Sequence, residues 1–332
     1  MDILITGAAG NLGSHLARHL LDTPHRLRLL IHRQAPPEDI AKAPGTTVFR
    51  ADLADPDSLA EPCRGTDCIV HFAGVLFKSR PRRFLPHTNI GFVQNLCNAA
   101  HAAGVGRFII ISFPHVEGES TPHKPAMGMM EGHPDSVHAR TRLAAEKLLF
   151  NSCRDSSMTA ISLRSGMVYG RDILMIDAAR WLSRRHLLAV WKKPTWIHLL
   201  SLPDFLDCVQ AAIEKEDAAG VYNLGDDHPL TLQDFLDRVT QHWGNRRPWR
   251  APKWSFYAGA WGVELFATVF RTRSPITRDF IRIGMASYTS DTTRMKRELL
   301  PVLEYPTLDQ GIRLLRPWPS EPMAMMEADR AG

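Results

Sequence analysis

The sequence predicts an α/β fold, a doubly wound parallel sheet followed by a smaller, mostly helical C-terminal lobe. Three observations carry this. Short apolar runs alternate with helical periodicities through the first half of the chain. The first of these runs ends in a glycine-rich turn that leads directly into a helix. After Gly166 the alternation gives way to a succession of helical patterns.

Residues 2–6 read as the first strand and 12–21 as the helix after it. Strands follow at 26–32, 47–51 and 67–72. Residues 89–103 have helical spacing, with Ile90, Val93, Leu96 and Cys97 on one side, and Gly104 and Gly106 stop that helix. Residues 107–111 form a buried strand, 137–151 a helix and 158–163 a further strand. Strands joined by crossover helices form a parallel sheet covered on both faces. Helices are then expected at 173–183, 203–214, 230–242, 255–270, 276–286 and 291–300. Strand-like pieces lie between them at 187–191, 196–200 and 221–224. The expected organisation is a first unit over 1–165, a lobe over 166–316 that sends segments back to the sheet, and a frayed tail over 317–332.

Composition sets outer limits. The 332 residues are 44% apolar and 23% charged, which suits a soluble globular chain with a real core. The net charge of +5 comes from scattered arginines, so a solvated surface is expected and no nucleic-acid face. Cys63, Cys68, Cys97, Cys153 and Cys208 are odd in number and show no metal-ligand spacing, as in a reduced, cytoplasmic protein. An apolar strand directly after Met1 argues against a signal peptide. Residues 254–270 are strongly apolar but short of the ~20 residues of a spanning helix, and Glu264 interrupts them. They read as a helix on the protein's own core, with a greasy substrate wall and a weak membrane-surface contact as alternatives.

The turn is Thr6-Gly7-Ala8-Ala9-Gly10-Asn11-Leu12-Gly13. Its glycines let backbone N–H groups approach a pyrophosphate, and the helix start adds partial positive charge there. Gly7, Gly10, Asn11, Leu12 and Gly13 are therefore the expected phosphate site of a Rossmann-type dinucleotide-binding unit. An acidic residue about 20 positions beyond the glycines would accept the ribose 2′-hydroxyl of NAD. Here His32-Arg33-Gln34 supplies none, and the Arg33 guanidinium suits a 2′-phosphate, so NADP is expected ahead of NAD.

The Gly-x-x-Gly-x-x-Gly spacing resembles the extended branch of the short-chain dehydrogenase/reductase superfamily. So do Ala51-Asp52-Leu53, His71-Phe72-Ala73-Gly74, Asn89, the stretch Leu163-Arg164-Ser165-Gly166-Met167-Val168-Tyr169-Gly170, and Gly220-Val221-Tyr222-Asn223-Leu224-Gly225. The resemblance implies that Asp52 and Leu53 hold the adenine, that Ala73 and Gly74 line the cofactor, that Asn89 takes the family's Asn position, and that Met167 lies beside the nicotinamide. It also implies a homodimer through the helices at 89–103 and 137–151.

The resemblance further implies a Tyr-x-x-x-Lys pair and a Ser. This chain has His138 and Arg142 at the pair, and no Tyr between Met1 and Val168. Phe113 occupies the Ser position, with Ser112 one residue early. In one reading His138 does the acid–base work, Arg142 takes over the Lys contacts with the ribose and depresses the His pKa, and Ser112 assists. In the others the protein is a non-redox isomerase or lyase, or a catalytically silent NADP-binding protein. The long 114–135 loop carries His115, Glu117, His123, Lys124, Glu131, His133 and Asp135 and reads as a lid. Its histidines match no compact ligand motif, so no metal is expected. Ser274-Pro275-Ile276-Thr277 and the stretch 288–294 resemble 3-beta-hydroxysteroid and sterol dehydrogenases, which implies a small-molecule substrate that is a bulky, hydrophobic alcohol or ketone. The arginines of 271–282 keep a sugar-nucleotide epimerase or dehydratase as an alternative.

Overall fold

The computed structural model describes residues 1–74, 80–269 and 277–315. The expected tail over 317–332 lies outside the described residues, as do Ser274, Pro275 and Ile276. Seven strands form one sheet: β1 (Asp2–Thr6), β2 (Arg26–Ile31), β3 (Thr46–Arg50), β4 (Cys68–His71), β5 (Arg107–Ser112), β6 (Thr159–Ser165) and β7 (Gly220–Leu224). Their order is β7-β6-β5-β4-β1-β2-β3, and every pairing is parallel. The order reverses at β1, so a crevice opens at the C-terminal ends of β1 and β4, where the glycine turn sits.

The sheet is buried on both faces because its side chains alternate. Ile3, Ile5, Leu29 and Val70 join one core, with Leu16 and Leu20 of α1 (Asn11–Leu20). Leu4, Leu30, Ile69, Phe108 and Ile110 join the other. They pack on Leu96 and Ala100 of α2 (Phe92–Ala103) and on Ala145 and Leu149 of α3 (Val137–Cys153). Gly104, at φ 71°, ends α2 in the left-handed conformation that glycine adopts without strain. Ser136 caps α3 by accepting the Ala139 N–H at 3.0 Å.

The second half contains α4 (Leu174–Arg184), α5 (Leu202–Glu214), α6 (Leu232–His242), α7 (Lys253–Val269) and α8 (Arg278–Met285). Phe205 and Val209 of α5 pack in the first core, and β7 returns to the sheet beside β6.

Several local expectations are corrected. Asn89 does not open a helix. It lies in a π-helical turn, Pro86–Gly91, that joins the short helix Pro81–Leu85 to α2 without a break. The helix expected from 230 starts at Leu232, because Leu230–Thr231 pairs with Trp196–Ile197 and Thr231 then caps α6. Of the strand-like pieces, 221–224 joins the main sheet as β7, whereas those at 187–191 and 196–200 do not. They form two-stranded ribbons, Met167–Tyr169 with Leu199–Ser201 and Ala189–Trp191 with Trp249–Ala251. Helix α7 does not bury all its apolar residues on the protein. Ala260 and Ala267 are buried, whereas Trp254 is 70% exposed and Trp261 55%. Its apolar surface runs round the helix and exceeds what one neighbouring face covers. Among the described residues no helix is long and apolar enough to cross a membrane.

Candidate active site

The glycine turn is shaped for close backbone packing. Gly7 sits at φ 71°, and a Cβ on Gly13 would fall 2.3 Å from the Gly7 carbonyl oxygen. No side chain caps α1 at Gly10 and no acidic residue occupies its first turn, so its leading N–H groups are free for an anion. The Asn11 side chain is engaged elsewhere: it donates to the Asp172 carbonyl and accepts the Leu174 N–H.

Just beyond β2, Arg33 is exposed and its Nε donates to His32 Nε2 at 3.1 Å. His32 Nδ1 lies 3.8 Å from the Asp52 carboxylate, so the three side chains ring one surface site. Leu53 is buried, and its carbonyl accepts from Asn95 of α2.

Helix α3 places His138 and Arg142 one turn apart on one side. The arrangement is fastened from three directions. The Asp279 carboxylate accepts the N–H groups of Val137 and His138 at 3.0 and 3.2 Å. Asn89 Nδ2 donates to Thr141 Oγ1 at 2.8 Å. Arg164, fully buried on β6, pairs with Glu146 of α3 and with Glu117. Glu117 in turn holds the backbone N–H groups of Met127 and Gly128. The loop expected as a lid is thus stitched down, and Ala126 and Ser120 fasten it again to the chain at Ser287 and Thr289.

Phe113, and not Ser112, faces His138. The two rings stack with centroids 5.3 Å apart and 14° between planes. Ser112 is in register with Arg164 on β6, and its hydroxyl is buried without a hydrogen-bond partner among the described residues. His115 lies edge-on to Phe113 and against Tyr288, whose ring centroid is 4.2 Å away. No sequence signal linked Tyr288 to this site, because the contact joins residues far apart in the chain. Met167 lies at the start of its ribbon, with its N–H on the His198 carbonyl.

The electrostatics depart from the sequence expectation. Burial pushes the His138 pKa down to about 3, with Arg142 and then His115 adding to the effect. The expectation named Arg142 as the cause, but loss of solvent is the larger influence. Burial likewise lowers His71 to about 3, with Arg142 assisting, and His115 to about 4. Arg142 falls to about 10 and stays charged at neutral pH. Its Nε and Nη1 are buried without a partner. Its Nη2 lies beside Gly74, 3.3 Å from where a Cβ would stand. A dinucleotide fits these residues: an uncapped helix start for the phosphates, and a desolvated, unpaired cation where β4 ends.

A parallel sheet with this glycine turn at its reversal point has the architecture of a Rossmann-type dinucleotide-binding protein. Residues 3–225 match the NAD dependent epimerase/dehydratase family, and the chain belongs to it. A 2-alkyl-3-oxoalkanoate reductase from Stenotrophomonas maltophilia is 24% identical over 95% of this chain and 98% of its own length. A 3 beta-hydroxysteroid dehydrogenase/Delta 5-->4-isomerase from Mycobacterium tuberculosis is 26% identical over 74% of this chain and 70% of its own. Among solved structures, the UDP-glucose 4-epimerase of Thermus thermophilus in complex with NAD has the same fold. The TM-score is 0.74 at 20% identity, covering 95% of this chain and 97% of that one.

Proposed function

We propose that the protein is an NADP-dependent oxidoreductase acting on a bulky, hydrophobic alcohol or ketone, with His138 and Arg142 in the places usually held by Tyr and Lys. The observation that carries this reading is Arg142. A buried guanidinium with two unpartnered nitrogens is costly to keep, and it lies one turn from His138 at the end of β4. Such a group suits a ligand bearing hydroxyl or phosphate oxygens, as a dinucleotide ribose does. When bound, the nicotinamide would donate or accept the hydride.

His138 would do the acid–base work as a hydrogen-bond donor. Its imidazole is neutral at pH 7, so it can donate an N–H hydrogen bond to a substrate carbonyl. As that oxygen gains negative charge, this hydrogen bond would stabilise it, the proton would reach it from solvent, and the imidazole would stay neutral throughout. Phe113 fixes the ring plane by stacking. Ser112 would orient the substrate only through a small movement of its unpartnered hydroxyl. Arg33 and His32 would clamp a 2′-phosphate. Asp52 and Leu53 would border the adenine, and Ala73, Gly74, Asn89 and Met167 the nicotinamide half.

The relatives named for an oxoalkanoate and a hydroxysteroid support the substrate class. A UDP-glucose 4-epimerase from Vibrio cholerae, 24% identical over 81% of this chain and 82% of its own length, supports a sugar nucleotide as the second reading. A homodimer would form through α2 and α3. The exposed aromatic face of α7 supports a weak contact with a membrane surface.

The test is steady-state turnover of a ketone panel with NADPH. His138→Gln should lower kcat roughly a hundredfold or more while leaving NADPH affinity within about threefold. Arg142→Ala should weaken cofactor binding as well. Full activity in His138→Gln would remove His138 as the group that holds the reacting oxygen. Absence of hydride transfer in the unaltered protein, across ketones and sugar nucleotides, would favour the non-redox or silent alternatives.

A further inference from the structure

A cleft of about 720 Å³ opens between the short helix Pro81–Leu85, α3, α7 and α8. Five arginines line it, Arg80, Arg82, Arg83, Arg278 and Arg282, against two carboxylates, Glu264 and Asp279. Both carboxylates are engaged. Glu264 accepts the backbone N–H and the guanidinium of Arg278 at 2.8 and 2.7 Å. Asp279 holds the start of α3. Arg80, Arg82, Arg83 and Arg282 are exposed and have no carboxylate partner among the described residues. Four guanidinium groups border one concavity, and no hydrogen bond or ion pair among the described residues uses their forks. Such an arrangement suits an anion that accepts several of their N–H groups at once.

The place matters as much as the charge. Val137, which lines the cleft, precedes His138, and Asp279 on the cleft wall holds the His138 N–H. Val137, Pro81 and Tyr257 give the same cleft an apolar side. We propose that this cleft is a substrate subsite for an anionic group, a carboxylate or a phosphate, carried on the body whose oxygen reacts at His138. The inference rests on the oxidoreductase reading for the position of that oxygen, but the anion subsite itself does not. Two sources share this chemistry, an acidic head on an alkyl chain and the diphosphate of a nucleotide.

The experiment is calorimetry on the full chain, with and without NADPH, using dodecanoate, dodecanol and UDP as probes. Dodecanoate should bind at least about tenfold more tightly than dodecanol, and its affinity should fall as salt rises. The triple variant Arg82→Gln/Arg83→Gln/Arg282→Gln should lose that preference while keeping its NADPH affinity. UDP binding, lost in the same variant, would keep the anion subsite and identify a nucleotide as the source. Salt dependence in the unaltered protein reads the same contact without any substitution. The subsite is overturned if neither anion binds, if binding ignores salt, or if the variant binds as the parent does. Ketone turnover with undiminished anion binding in the variant would remove the subsite and leave the oxidoreductase reading. The opposite pattern would remove that reading and leave the subsite.

Discussion

His71, His115 and His138 are three neutral histidines at one end of the sheet, and they make a statement about pH. Each has a folded pKa below its unfolded value of ~6.5, the first two at about 3 and 4 and His138 at about 3. The unfolded chain therefore takes up protons that the folded one refuses. The stability contributed by the neutral rings is complete above pH ~6.5 and is lost as pH falls toward the folded values. For fully buried His71 the slope reaches about 1.4 kcal/mol per pH unit. Urea unfolding should show a clear loss of stability from pH 7 to pH 5, and His71→Gln should flatten it. Unchanged stability over that range would show that these rings are not held neutral by the fold. Arg33 supplies the second test at this scale. Arg33→Asp places a carboxylate beside the ribose position and should invert the preference from NADP to NAD in titrations with both cofactors. An unaltered ratio would place 2′-phosphate recognition elsewhere.

Elements here are held by a few buried polar groups as much as by apolar faces. Arg164 joins β6 to α3 through Glu146 and to the 114–135 loop through Glu117 and the Met129 carbonyl. Removing one partner strands a desolvated charge, so Glu146→Gln should cost about 3–5 kcal/mol in denaturant unfolding. Replacing all three charges, as in Arg164→Met with Glu146→Leu and Glu117→Gln, should recover much of that loss. If the single substitution is neutral, the triad does not hold α3. The sheet strands and main helices were legible because each carries its own period, as in the alternation of Ile3, Leu4 and Ile5 between two cores. Ala189–Trp191 was legible as a strand, but its partner Trp249–Ala251 and the ribbon strand Met167–Tyr169 were not, since three residues hold no measurable period and pair only with distant segments. The π-helical turn at Asn89 was equally hidden, because its signal is a tertiary bond to Thr141.

For the molecule as a whole, the two halves of the chain meet around the crevice, so a bound dinucleotide should stabilise all of it. NADPH at about 100 times its Kd should add about 2.7 kcal/mol, read as a rise in Tm that Gly13→Ala abolishes. A Tm indifferent to NADPH would mean that the crevice does not take the cofactor. The sequence alone determined the sheet, the glycine turn and the positions of His138, Arg142 and Arg33, because these follow from local periodicity, backbone freedom and spacing within one helix or strand. It also registered Phe113 at the place of a Ser. Only the tertiary structure decided that Phe113 stacks on His138, that burial keeps that ring neutral, and that Tyr288 and the Arg80–Arg83 turn come to the same end of α3. Those are consequences of desolvation and of contacts between residues far apart in the chain, and neither is encoded in any short window of it.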